Sequence, residues 1–218
     1  MKTLDLRREL KPLYAPSARR VELIRVPKFK FVMIDGQIEP GAMPGVSPEF
    51  QAAIGALYGM AFTLKFMSKL RPKNPIDYPV MALEALWWTK AGEFDLARPG
   101  AWKWTAMMLL PAHITPAMFE QARRQLRQKR PGPAAEKVRL ESFREGLCVQ
   151  TMHIGPYAAE PETIARMKDF AREHGYVPCG RHHEIYLGNP LRARPERLKT
   201  ILRHPVAKAA AGRRGAES

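Results

Sequence analysis

Cysteine is nearly absent from this 218-residue chain: Cys148 and Cys179 stand alone, with no Cys-x-x-Cys spacing. That excludes a disulfide scaffold and a cysteine metal site, and both thiols read as reduced. No apolar run reaches the length of a membrane span. The opening Met1-Lys2-Thr3-Leu4-Asp5-Leu6-Arg7-Arg8 lacks the apolar core of a signal peptide. A cytoplasmic protein without membrane association is the expectation. There is no phosphate-binding loop, dinucleotide fingerprint or Gly-x-Ser-x-Gly nucleophile motif. His182-His183-Glu184 places only His182 and Glu184 on one face of a strand, with no evident third ligand, so neither a metal nor a cofactor is expected. Acids are short as well: 21 against 36 basic residues, a formal charge of +15. Such a field attracts anionic surfaces. Its charges, however, cluster at residues 123–130 and 192–214, with no helix-turn-helix pattern or aromatic-rich strand beside them. Contact with nucleic acid is expected to be nonspecific.

What is present is a repeat. A strand at 29–39 alternates apolar and basic residues. A helix follows, with Ser47 as N-cap and Pro48 at its first position, carrying Phe50, Ile54, Leu57, Tyr58, Ala61, Leu64 and Met67 at helical spacing. Strands at 80–90 and 102–110 flank a loop containing Gly92, Pro99 and Gly100. A connecting helix spans 115–130. The second half repeats the order: a long strand at 140–157, a helix at 161–174 capped by Gly175, and strands at 181–187 and 198–206. Strand-helix-strand-strand, twice, predicts a pseudo-two-fold α+β fold of antiparallel sheets with helices on one side and a central ligand cleft on the other. The expected organisation is an N-terminal arm at 1–27, a ligand-binding domain at 28–206 (repeat one 28–111, repeat two 139–206) and a disordered basic tail at 207–218. Monomer and homodimer both remain open.

The chemistry concentrates on two short strands, Leu83-Glu84-Ala85-Leu86-Trp87-Trp88 and His182-His183-Glu184-Ile185-Tyr186-Leu187. An acid buried among rings without a partner is costly, so Glu184, on one face with His182 and Tyr186, is the leading candidate for a base, an acid or the counter-ion of a cation. Glu84 holds the corresponding place in the first half and is expected beside the same cleft, unless it only completes the symmetry by bonding a backbone amide. The tryptophans lie on two strands expected to pair. Of Trp87, Trp88, Trp102 and Trp104, two or three should line the cleft, where rings stack on planar ligands or stabilise developing positive charge. His153-Ile154-Gly155-Pro156-Tyr157 closes the long strand with a Gly-Pro turn. It projects Tyr157 at the cleft rim and offers His153 as a donor or as a plain packing residue.

These stretches, together with Glu145-Gly146-Leu147-Cys148-Val149-Gln150-Thr151-Met152 and Leu198-Lys199-Thr200-Ile201-Leu202-Arg203-His204-Pro205-Val206, resemble the GyrI-like small-molecule-binding family. The resemblance implies two β-α-β-β modules around a central groove that binds hydrophobic, often cationic aromatic small molecules, with a glutamate matching Glu184. The Trp-Trp pair, the His-x-Gly-Pro-Tyr turn and the His-His-Glu-Ile-Tyr strand look like the subfamily of cyclopropanoid cyclopropyl hydrolases. Those enzymes open the strained ring of DNA-alkylating compounds of the yatakemycin type within an aromatic cage. The resemblance implies Glu184 as the central acid and Trp87, Trp88, Tyr157 and Tyr186 as the aromatic cage. With the residues singled out above, Glu184, Tyr186 and His153 are the candidate catalytic residues, and Glu84, Trp87, Trp88, Trp104, Tyr157 and His182 the candidate ligand-binding residues. The alternative is a module that binds, sequesters or senses cationic drugs without turning them over.

Overall fold

Ser47 accepts a hydrogen bond from the backbone N–H of Phe50 at 3.3 Å and starts the longest helix of the protein. The computed structural model describes residues 2–39, 41–89, 102–188, 190 and 192–209; the expected loop around Gly92, Pro99 and Gly100, and the tail from residue 210 onward, lie outside these. The main elements are β1 (Glu22–Gln37), α1 (Pro48–Leu70), β2 (Leu83–Trp88), β3 (Lys103–Leu110), α2 (Pro116–Lys129), β4 (Arg139–Ile154), α3 (Glu160–Glu173), β5 (His182–Tyr186) and β6 (Lys199–Lys208). The fold is α+β, built of two strand-helix-strand-strand modules joined by α2. Among the described residues no helix is long and apolar enough to cross a membrane.

The strand order is β4-β1-β3-β2-β5-β6, all antiparallel, and β6 also pairs with β4, so the sheet closes on itself. Length makes closure possible. β1 and β4 have 16 residues each. β1 pairs with β3 through Lys30–Gln37 and with β4 through Glu22–Met33; β4 pairs with β6 through Cys148–Ile154. β1 starts at Glu22 rather than at residue 29, and β6 runs to Lys208, where it pairs with Tyr176–Pro178.

Both long helices cover the outer face of this ring. α1 and α2 pack Leu57, Met60, Leu64, Phe119 and Leu126 on Val32, Ile34, Ala85 and Trp104. α1 approaches α2 so closely that a Cβ at Gly59 would stand 2.8 Å from Leu126 Cδ1. Gly59 thus serves helix–helix contact. α3 packs Met167 and Ala171 on Val149 and Leu202. The opposite face, where the cleft was expected, is filled. Phe31, Met33, Leu86, Met107, Leu109, Ile185 and Ile201 form one apolar cluster there, into which the N-terminal arm inserts Leu13 and Tyr14. Closure of the ring turns this face inward and buries these side chains against one another.

That interior also holds a balanced set of charges. His183 sits between Glu84 (Nε2 to Oε2, 3.0 Å) and Glu145 (Nδ1 to Oε1, 3.1 Å), and Arg203 lies 3.3 Å from Glu145 Oε2. Tyr14 donates its hydroxyl to Glu84 at 2.7 Å, and Arg203 donates to the Leu13 carbonyl at 2.8 Å and to Gln150 Oε1. Burial by itself would lower the His183 pKa; the two carboxylates outweigh it and push the imidazole up to about 9. Two anions thus face two cations, the condition under which buried charge is tolerable.

Candidate functional site

The central pair β2–β5 decides which side chains meet. Leu83 opposes Tyr186, Ala85 opposes Glu184, Trp87 opposes His182, and Glu84 opposes Ile185. Residues directly opposed on paired strands share a face. Glu184, Tyr186, His182, Leu83 and Trp87 therefore face the helices, whereas Glu84 and Trp88 face the ring interior. This corrects the expectation that the two glutamates share a cleft. An alignment that equates Glu84 with Glu184 pairs residues on opposite faces of the sheet.

A cavity of about 1020 Å³ opens on the helical face, between α1 and the start of α3. Its floor is Leu83, Trp87, Glu184 and Tyr186. One wall is a stripe of α1: Phe50, Ile54, Tyr58 and Phe62, each one helical turn from the next. Tyr157 and Glu160 form the facing wall, Trp102 lies beside Trp87, and Met43 and Pro44 overhang the mouth. Tyr14 of the arm reaches the rim, as does Arg7, whose guanidinium donates to the Val80 carbonyl at 2.8 Å.

On the floor the polar groups form a short relay. The Trp87 indole N–H donates to the Tyr186 hydroxyl at 3.1 Å, and that hydroxyl donates to Glu184 Oε2 at 2.6 Å. His182 Nε2 lies 3.3 Å from Glu184 Oε1. The carboxyl group thus accepts a hydrogen bond on one oxygen and has an imidazole nitrogen beside the other, while only 5 % of the residue is exposed. Burial, and then the charge of Glu184, push the Tyr186 phenol well above its usual range, so it stays a donor. The Tyr157 ring meets the Tyr186 ring edge-on at 6.0 Å. Its hydroxyl is pushed up to about 12 by burial, then by Glu184 and Glu160.

Five predicted site residues lie off the cavity. Glu84 belongs to the interior charge set. Trp88 sits on the interior face with the Arg181 guanidinium 3.8 Å above its ring. Trp104 is fully buried beneath α1, its ring 5.0 Å from Phe50. His153 places Nδ1 2.9 Å from Thr163 Oγ1 and Nε2 3.2 Å from the Pro156 carbonyl, which pins the Gly-Pro turn to α3. His182 touches the site only through Glu184. Glu184, Tyr186, Trp87 and Tyr157 do converge.

Reading the sequence missed Glu160. It opens α3, is 0 % exposed and lines the cavity. Neither of its carboxyl oxygens has a well-formed hydrogen bond among the described residues, although the Thr200 hydroxyl lies beside it. Burial, then the charge of Glu184, push its pKa up to about 9, so it holds its proton at neutral pH. An acid at the start of a helix is so common that nothing in the sequence marks this one. The α1 stripe did leave a signal. Tyr58, Phe62 and Phe66 are 38 %, 46 % and 50 % exposed on a helix whose other side is also apolar, which implies that the second face covers something.

Residues 116–207 match the family model described as GyrI-like small molecule binding domain. An uncharacterized conserved protein from Listeria innocua is 38 % identical, over 94 % of this chain and 100 % of its own, with a TM-score of 0.83. Over residues 116–207 the chain carries a GyrI-like small-molecule-binding domain. A protein described as a hydrolase from Listeria innocua is 36 % identical to this chain over the same shares, with a TM-score of 0.79. The C-terminal domain of EcmrR covers 87 % of this chain and 98 % of its own at 11 % identity and a TM-score of 0.52, a likeness of fold alone. No curated protein matches the chain in sequence.

Proposed function

We propose that this protein binds planar, apolar or cationic aromatic compounds in the cavity between α1 and α3, and hydrolyses the electrophilic ones, cyclopropanoid DNA-alkylating agents above all. One observation carries the reading: a buried acid, Glu184, hydrogen-bonded by Tyr186 with His182 3.3 Å away, on the floor of an aromatic cavity large enough for a multi-ring compound. The hydrolase from Listeria innocua, similar along its whole length, supports the catalytic part.

The chemistry uses these groups as they stand. Water attacks the strained ring carbon and gives its proton to Glu184. The ring C–C bond breaks, and its electron pair flows through the conjugated system to the carbonyl oxygen, which becomes a phenol on taking up a proton. The indole of Trp87 and the phenol rings of Tyr157 and Tyr186 face positive charge building at the attacked carbon. Tyr157, which keeps its proton at neutral pH, donates a hydrogen bond to oxygen as negative charge gathers there. A substrate that is already strained needs only a modest barrier reduction, about 1.4 kcal/mol for each tenfold in rate.

Incubation with a cyclopropanoid alkylator, followed by mass spectrometry, should give a product heavier by one water over many turnovers. Glu184→Gln should lower the rate by roughly 10²–10⁴-fold and leave binding measurable by tryptophan quenching. Stoichiometric loss of the compound, without product, would support sequestration instead. An unchanged rate in Glu184→Gln would remove the carboxylate from the mechanism.

A further inference from the structure

Two carboxyl groups share one cavity, and only one of them accepts a well-formed hydrogen bond from the protein. Glu184 accepts from the Tyr186 hydroxyl, with His182 Nε2 3.3 Å from its other oxygen. Glu160 has no such partners, is fully buried, and faces the same space. Two anions in so apolar a hollow repel each other without the screening that water gives. A proton on Glu160 keeps the cavity free of that repulsion. A cation entering it changes that balance, because it offers the second carboxylate the partner it lacks.

We infer that the cavity exchanges a proton for a cation: a delocalised aromatic monocation binds between Glu184 and Glu160 and expels the proton of Glu160. This rests on the reading of the cavity as a binding site for aromatic cations and adds a ligand preference, positive over neutral, that strengthens with pH. No bond to carbon changes. The proton leaves the Glu160 carboxyl for solvent, and the ligand's charge replaces it.

The other ionisable groups around Glu160 do not compete for this role. From β5 come Glu184 and the Tyr186 phenol, with His182 behind Glu184 and the His204 ring 5.9 Å from His182. From the turn before α3 comes Tyr157, from α1 Tyr58 and from the arm Tyr14. All four phenols are held above their ordinary range, chiefly by burial, and stay protonated at neutral pH. From β6 comes only the Thr200 hydroxyl. Arg7 is the sole cation lining the cavity among the described residues. It is exposed at the rim and anchored to the Val80 carbonyl.

The test is titration calorimetry of the whole protein with 10-methylacridinium, a planar permanent monocation, at pH 7.5 in phosphate and in Tris. These two buffers differ widely in ionisation heat. Acridine, neutral at this pH, is the comparison. Expected is release of close to one proton with 10-methylacridinium, none with acridine, and an affinity for the cation that rises by up to about tenfold per pH unit between pH 6 and 8. Glu160→Gln should abolish both the proton release and the slope. Binding of the cation without proton release overturns the exchange and leaves the binding reading intact. Release that persists in Glu160→Gln also overturns it, since the proton then has another source. Failure of the wild-type protein to bind 10-methylacridinium at any pH removes the exchange and the cation-binding reading together. The wild-type comparison between buffers decides the matter even if the variant does not fold.

Discussion

Replacing Glu160 by Gln should stabilise the protein, and by an amount that grows with pH. In the unfolded chain the carboxyl titrates near 4.5; in the cavity burial and Glu184 raise it to about 9. The folded state thus holds the proton more tightly than the unfolded chain does. The associated stability is complete below pH 4.5 and is lost as the pH climbs toward 9, at about 1.4 kcal/mol per unit. The full shift sets an upper bound of about 4 kcal/mol at pH 7.5, and water entering the open cavity reduces it to on the order of 2 kcal/mol. Glutamine has nearly the shape of the neutral acid and carries no proton to lose. The melting temperature of Glu160→Gln should match the wild type near pH 4.5 and exceed it by roughly 4–8 °C near pH 7.5. The difference between the two proteins cancels every other titrating group, His183 included. Differential scanning calorimetry across pH 4.5–8.5 measures it. A difference that stays flat with pH, or a variant less stable at pH 8 than at pH 5 relative to wild type, would refute the reasoning.

Glu84→Gln leaves two buried cations facing one anion. It should cost about 3–5 kcal/mol in urea denaturation, while affinity for 10-methylacridinium at 10 °C stays within about twofold, because Glu84 lies on the face away from the cavity. Gly36→Ala drives a Cβ into the Trp104 indole, which is fully enclosed. It should cost at least about 1–3 kcal/mol and shift the tryptophan emission.

The element pattern was legible because it rests on local rules. Ser47 and Pro48 start α1, alternation marks β1, and Gly175 ends α3. Face and partner were less so. A strand's acids and rings can be paired by eye with an offset of one, and that slip exchanges the two faces of the sheet. It put Glu84 and Trp88 at the ligand site, when they belong with His183 and Arg181. The closure of the sheet was illegible for another reason. It depends on β4 reaching β6 across some fifty residues of chain, and no local pattern encodes that distance. Glu184 and Tyr186 could be found because an acid between large rings in a strand is conspicuous. Glu160 could not, because its isolation is created by β5 and β6 arriving beside it.

The interlocking of the two long strands also bears on how the protein is made. When synthesis has reached Ile154, β4 can pair with β1, but its far end still awaits β6. The buried carboxylates Glu84 and Glu145 then have neither His183 nor Arg203. The segments that deliver the final backbone hydrogen bonds therefore also deliver both counter-charges. A nascent chain that stops short of Arg203 carries an electrostatic debt it cannot settle alone, so its first half should remain a client for chaperones until the last strand leaves the ribosome.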